Sequence, residues 1–135
     1  MSVRRRVADD RGSAVIEFSM ISVLLVLLLF SVLQVAMLFY VRSVTASAAA
    51  DGARYAANAD VSSTAGAQRA SDLISRGIGT RMAGQLPCTG DSVRDPATGL
   101  MSARVRCSGR IRSLLAPIGA LVRVEVSAES LEDGP

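Results

Sequence analysis

Residues 18–41 read FSMISVLLVLLLFSVLQVAMLFYV, and no charged side chain interrupts them. As an α-helix these 24 positions extend ~36 Å, against a bilayer hydrocarbon core of ~30 Å. A buried core helix is the competing reading, but a chain of 135 residues cannot wrap such a helix on all sides. The stretch predicts one membrane-spanning helix. Upstream of it stand Arg4, Arg5, Arg6 and Arg11, whereas Arg42 and Arg54 are the nearest basic residues downstream. By the positive-inside rule this bias places Met1–Gly12 in the cytoplasm and the C-terminal region outside it. A secretory signal peptide is a weaker account. Ala46-Ser47-Ala48 has the small-x-small form of a cleavage site, yet signal cores run about 7–15 residues and Arg42 separates this longer one from that site.

Away from the span the composition is that of an ordinary small polar domain. The apolar residues concentrate between Val15 and Tyr40, although half of the chain is hydrophobic. All fifteen basic residues are arginine and the net charge is +3. Without the leader, eleven arginines face ten acids, and no basic cluster stands out beyond it. With only two tyrosines and three phenylalanines, the basic-and-aromatic surface of a nucleic-acid binder is not expected. Histidine is absent, which removes the commonest general base and the commonest metal ligand. Two cysteines alone do not build a four-ligand zinc site. Gly77-Ile78-Gly79 lacks the third glycine of a dinucleotide fingerprint, because Met82 occupies that place. No enzyme, cofactor or metal site is expected.

The junction before the span is the most informative part of the chain. It reads Asp9-Asp10-Arg11-Gly12-Ser13-Ala14-Val15-Ile16-Glu17-Phe18. A short basic leader ends in glycine, and an apolar helix follows with one carboxylate near its start. Glycine offers a backbone that a protease can hold extended. After a cut there, Ser13 would carry a free α-amino group, with Glu17 one helical turn on at i+4. An isolated charge at the bilayer centre costs on the order of 2.5–3.5 kcal/mol on insertion scales, so an ammonium partner, from its own chain or a neighbour, would favour the carboxylate. The plainer reading makes Glu17 an interfacial residue reaching back to the headgroups.

This junction resembles that of type IV prepilins, and particularly of the TadE-like minor pilins of tight-adherence pili. The resemblance runs across Arg11–Ala57 and includes Gly52-Ala53-Arg54-Tyr55-Ala56, which is similar to the stretch following the span in that family. It implies cleavage between Gly12 and Ser13 by a prepilin peptidase, and a role for Glu17 and Phe18 in registering the subunit during assembly. It also implies other pilin subunits, an inner-membrane platform protein and a cytoplasmic secretion ATPase as partners. The product would be a minor pilin or pseudopilin of a Tad/Flp-type pilus or related secretion machine. The rivals are an unprocessed single-pass membrane protein with an extracytoplasmic binding domain, and a secreted hydrolase freed near Ala48.

Beyond the span, the alanine-rich run to Ala57 continues without a turn signal. One helix over 13–59 is therefore expected, containing a transmembrane segment at about 18–41, after a leader at 1–12 and before a small extracytoplasmic domain at 60–135. The small residues Ala49, Gly52, Ala53 and Ala56 are expected against the domain's own sheet, with subunit contact as the alternative. Asn58–Thr64 reads as a polar loop. Ser63 or Thr64 is expected to cap a second helix with Ala70, Leu73, Ile74 and Ile78 on one face. Period-two alternation then marks strands around Leu100–Cys107 and Val122–Ser127. Asp95–Gly99 supplies a hairpin turn that pairs Asp91–Arg94 with the first of these. Ser113–Ala120 is the longer connection, and Glu129–Pro135 reads as a frayed acidic tail. The fold class is α+β, with a three-stranded antiparallel sheet in a pilin-like domain. Antiparallel pairing brings Cys88 near Cys107, and an extracytoplasmic location permits a disulfide contributing about 3 kcal/mol. The alternative is two buried free thiols.

Overall fold

The computed structural model describes residues 10–58, 60–112 and 121–132. Its first element is the helix α1, Asp10–Ala56, of 47 residues, about 70 Å long at 1.5 Å per residue. It begins three residues before the expected start and ends three before the expected end. At its C-terminal end the Asn58 amide donates to the Arg54 and Tyr55 carbonyls, at 3.3 and 3.1 Å. That side chain takes over carbonyls left without helical partners, so the helix stops there.

α1 has two regimes. From Val15 to Leu33 nearly every side chain is exposed, among them Leu24 at 68% and Leu28 at 60%. Two serines in this stretch turn inward on the helix: Ser19 and Ser31 donate to the carbonyls of Val15 and Leu27, each at 2.8 Å. α1 is the helix long and apolar enough to cross a membrane among the described residues. From Gln34 onward one side becomes covered, and Val41, Thr45, Ala48, Ala49, Gly52, Ala53 and Ala56 are buried.

The second helix, α2, spans Ser63–Ile78. Its cap is Ser62, not Ser63 or Thr64: Ser62 sits in extended backbone and its Oγ accepts from the Ala65 N–H at 3.2 Å. Cap geometry needs one residue outside the helix with a free hydroxyl, and Ser63 and Thr64 are already helical. Gly66, Ala67, Ala70 and Ile74 form its buried stripe. A one-turn helix, α3 (Thr80–Ala83), follows Gly79.

Three strands complete the domain: β1 (Cys88–Arg94), β2 (Met101–Arg112) and β3 (Leu121–Leu131). They form one antiparallel sheet in the order β1-β2-β3. β1 starts at Cys88, three residues earlier than the hairpin alone required. β3 runs through Glu129, so the expected frayed tail is corrected. Residues 129–131 are ladder-bonded, and Glu129 pairs with Arg104. The connection 113–120, the leader up to residue 9 and residues 133–135 lie outside the described residues. The hairpin turn at Asp95–Gly99 forms as expected: the Asp95 carboxylate accepts from the Ala97 N–H and the Thr98 hydroxyl, both at 2.9 Å. Those donors hold its carboxyl below the usual range, the Ala97 N–H first.

The upper half of α1 and α2 lie on one face of the sheet. The core between them comprises Val41, Ala48, Ala49, Ala53, Ala70, Ile74, Leu86, Val105, Cys107 and Val124. The small residues of α1 meet both the sheet, as the sequence suggested, and α2: Ala56 clusters with Ala103 of β2, while Gly52 lies against Gly66. A Cβ on Gly52 would stand 2.5 Å from the Gly66 carbonyl oxygen, and one on Gly66 would stand 2.5 Å from that of Gly52. Two glycines at the crossing let the backbones touch. Alanine alone would hold them apart.

Candidate processing and assembly site

Gly12 and Ser13 fall in the first turn of α1. The backbone at the junction is therefore helical in the uncut chain. Their side chains lie outside the described residues. Glu17 follows one turn after Ser13, exposed on the free half of the helix, with Phe18 beside it at 72% exposure. Neither touches the domain, which begins to cover α1 only at Gln34. Among the described residues, Glu17 has no ion-pair partner: the ion pairs there are Asp51–Arg69 and Arg104–Glu129.

What the structure offers at this end is a bare apolar cylinder with one carboxylate near its base. Side chains on a helix surface exposed to this degree find partners either in lipid or on another helix. Ser22 is half-buried within an otherwise exposed run, and a shallow furrow lined by Ser19, Met20, Val23, Leu24 and Leu27 lies along one side. Its walls are the helix's own side chains, so it is a surface a second helix can pack into.

Cys88 and Cys107, the other expected pair, sit directly opposite one another in the β1–β2 ladder. They are joined by a disulfide with Cα atoms 4.1 Å apart. The bond is far from the junction in the fold, and Cys107 is fully buried against Leu86 and Val105. It fastens the β1–β2 hairpin of the domain. No group of three or more His, Cys, Asp or Glu side chains suited to a metal occurs among the described residues.

Three features were not foreseen. The Arg69 guanidinium donates to Asp51 at 2.7 Å and lies 5.0 Å from the Tyr55 ring centroid, tying α2 to α1. Gly90 and Gly109 lie under backbone carbonyls of Ser63 and Gln85; a glycine within an alternating strand pattern was the available signal. The expectation of no basic cluster beyond the leader is corrected. β2 places Arg104, Arg106, Arg110 and Arg112 on the outer face of the sheet, and Arg123 of β3 stands directly opposite Arg110. Strand periodicity put these residues on one face, but only the register joins Arg123 to them.

The comparisons with known proteins bear on the same segment. The family model described as TadE-like protein matches residues 12–54, from the junction glycine to Arg54. No curated protein and no solved structure matches the chain.

Proposed function

Residues 12–54 carry the TadE-like family segment, and on that premise we propose that this chain is a minor pilin or pseudopilin of a Tad/Flp-type pilus or related secretion machine. The observation that carries the reading is the free half of α1. It is an exposed apolar helix of about 30 Å whose single carboxylate, Glu17, follows Gly12 at the prepilin spacing. The helix serves first as a membrane anchor, then as the surface on which subunits pack. The Arg4, Arg5, Arg6 and Arg11 leader holds the N-terminus in the cytoplasm and the sheet domain outside. A prepilin peptidase cuts between Gly12 and Ser13, and the new ammonium or that of a neighbouring subunit meets the Glu17 carboxylate. Other pilins, a platform protein in the inner membrane and a secretion ATPase acting through it are the partners. The chain is a structural part and not a catalyst. It requires no cofactor, and nucleic acid is not its ligand.

The helical backbone at Gly12–Ser13 favours a second reading, an unprocessed single-pass protein whose outer domain binds a ligand or envelope protein. A peptidase must first unwind that turn, and glycine eases this by about 1 kcal/mol relative to alanine. N-terminal mass analysis of the membrane-extracted protein separates the two. A mature chain starting at Ser13 is expected, and Gly12→Ala is expected to leave the full-length chain in the membrane. An intact leader on the wild-type protein, in cells with an active prepilin peptidase, would support the unprocessed reading. Normal maturation of Gly12→Ala would remove the assigned junction.

A further inference from the structure

The domain begins on α1 before the apolar stretch is over. Gln34, Met37 and Leu38 are half-covered and Val41 is buried, so two helical turns of apolar sequence lie beside protein on one side. What covers them is the lower end of the sheet. The sheet runs down α1: Ala103 packs with Ala56 and Ala57, and Ile111 packs near Leu38 and Val41. Eight strand residues cover ~26 Å at 3.3 Å each, which matches the descent along the helix.

At that lower end the basic residues converge. Arg112 lines a hollow with Gln34 and Leu38. Arg123 lines another with Arg42 and Phe39, and Arg110 stands opposite Arg123 in the ladder. All four guanidinium-bearing residues are exposed. Among the described residues none of them has an ion-pair partner, although Glu125 borders the Arg42–Arg123 hollow. Across the helix, the Tyr40 hydroxyl donates to the Gly77 carbonyl at 3.0 Å, which brings Arg76, next in chain, to the same level. The far end of the domain is different. There Asp51 pairs with Arg69 and Glu129 with Arg104, and Asp60, Asp91, Asp95 and Glu132 stand against Arg54 and Arg94. Like charges directly opposite in a ladder are unfavourable by themselves. An arginine ring that outnumbers Glu125, the carboxylate bordering it, thus points to a counter-charge outside the chain.

We propose that this ring binds the phosphates of anionic lipid headgroups. The proposal rests on the membrane reading of α1 and holds whichever side of the membrane the domain occupies. Arginine suits the place: its stem covers apolar surface while its planar fork reaches two phosphate oxygens. The ring sets the hydrocarbon boundary at Gln34 instead of Val41. Residues 14–33 then cross the bilayer, about 30 Å of helix, and Gln34–Val41 lies among headgroups under the domain. Glu17 comes within one turn of the opposite boundary.

The test uses the full-length chain in vesicles of phosphatidylcholine with and without phosphatidylglycerol. Lipids retained after gentle detergent release are identified by native mass spectrometry. The wild-type chain is expected to retain phosphatidylglycerol over phosphatidylcholine by about tenfold or more, a preference that falls as salt rises. The triple variant R110Q/R112Q/R123Q is expected to lose it. The distal variant R54Q/R69Q/R94Q, with the same change in net charge, is expected to keep it. Circular dichroism and the intact-disulfide mass establish that each variant folds. Equal loss in the distal variant would overturn the ring in favour of bulk charge. A wild-type chain that resists alkaline carbonate extraction yet shows no preference would overturn the ring and leave the membrane reading standing. Release of the wild type by carbonate would remove both.

Discussion

At the scale of single residues, the tightest constraints in this domain fall on glycines rather than on large core side chains. A Cβ at Gly109 would run into the Gln85 carbonyl oxygen, and one at Gly90 into that of Ser63. Both obstacles are backbone, which cannot rotate away as a side chain can. Gly99 is different in kind: its φ is 71°, with nothing within 4 Å of the added carbon, so alanine there would cost about 1–2 kcal/mol of left-handed strain. Gly109→Ala and Gly90→Ala are expected to cost more, about 2–3 kcal/mol or above, because helix or loop must lift from the sheet. Thermal melts in detergent would rank them. Gly99→Ala as the most damaging of the three would contradict the close approach. The same scale shows what a sequence conceals. The cysteine pair and the Asp95 turn were readable, because each is a local pattern whose partners lie within one hairpin. The choice of Ser62 over Ser63 and Thr64 was not, since three adjacent hydroxyls cap equally well until the loop before them is fixed in space.

Elements behave similarly. The span, the second helix and the strands were legible because apolar periodicity is set by which face is wet, and that face is decided residue by residue. Their ends were less so. β1 reaches back to Cys88 and β3 forward to Leu131 because β2, with twelve residues, offers ladder positions that a hairpin turn alone does not reveal. The small-residue face of α1 meets the sheet, as at Ala56 against Ala103, but nothing in the sequence says that Gly52 will also face Gly66 of α2. The disulfide ties two of these elements. Cys88 and Cys107 are register partners, so the bond closes only the hairpin and adds no new topology. In the chain-entropy account, removing it costs about 3 kcal/mol. The double variant Cys88→Ala with Cys107→Ala is therefore expected to unfold at markedly lower denaturant than the oxidised wild type. Wild type under reductant should move in the same direction, which separates loss of the bond from loss of buried volume at Cys107. An unchanged midpoint on full reduction would show that the bond constrains nothing the hairpin does not already hold.

On the membrane reading the molecule as a whole meets two solvents, and the division runs through the middle of one helix. Below Gln34, α1 displays its large apolar residues on all sides, and on the membrane reading its stability would come from lipid, where a backbone has no alternative to helical hydrogen bonds. Above Gln34 the same helix depends on a small alanine-rich core, in which Ile74, Leu86, Val41 and Val105 are the largest fully buried apolar side chains. Such a core is modest, and the hydrophobic contribution scales with the area buried. The two halves should therefore fail separately. Heating the reduced chain in detergent micelles is expected to melt α2, the sheet and the upper part of α1 in one transition. About twenty residues, 14–33, should stay helical. Far-ultraviolet circular dichroism should then retain roughly a third of its helical signal above the transition. Hydrogen exchange should place the surviving protection below Gln34. Complete loss of helix in a single step would mean that the lower half is held by the domain, not by its apolar surroundings. Protection extending through Val41 after the domain has melted would move the boundary of the lipid-stabilised segment upward, to where the apolar sequence alone would set it.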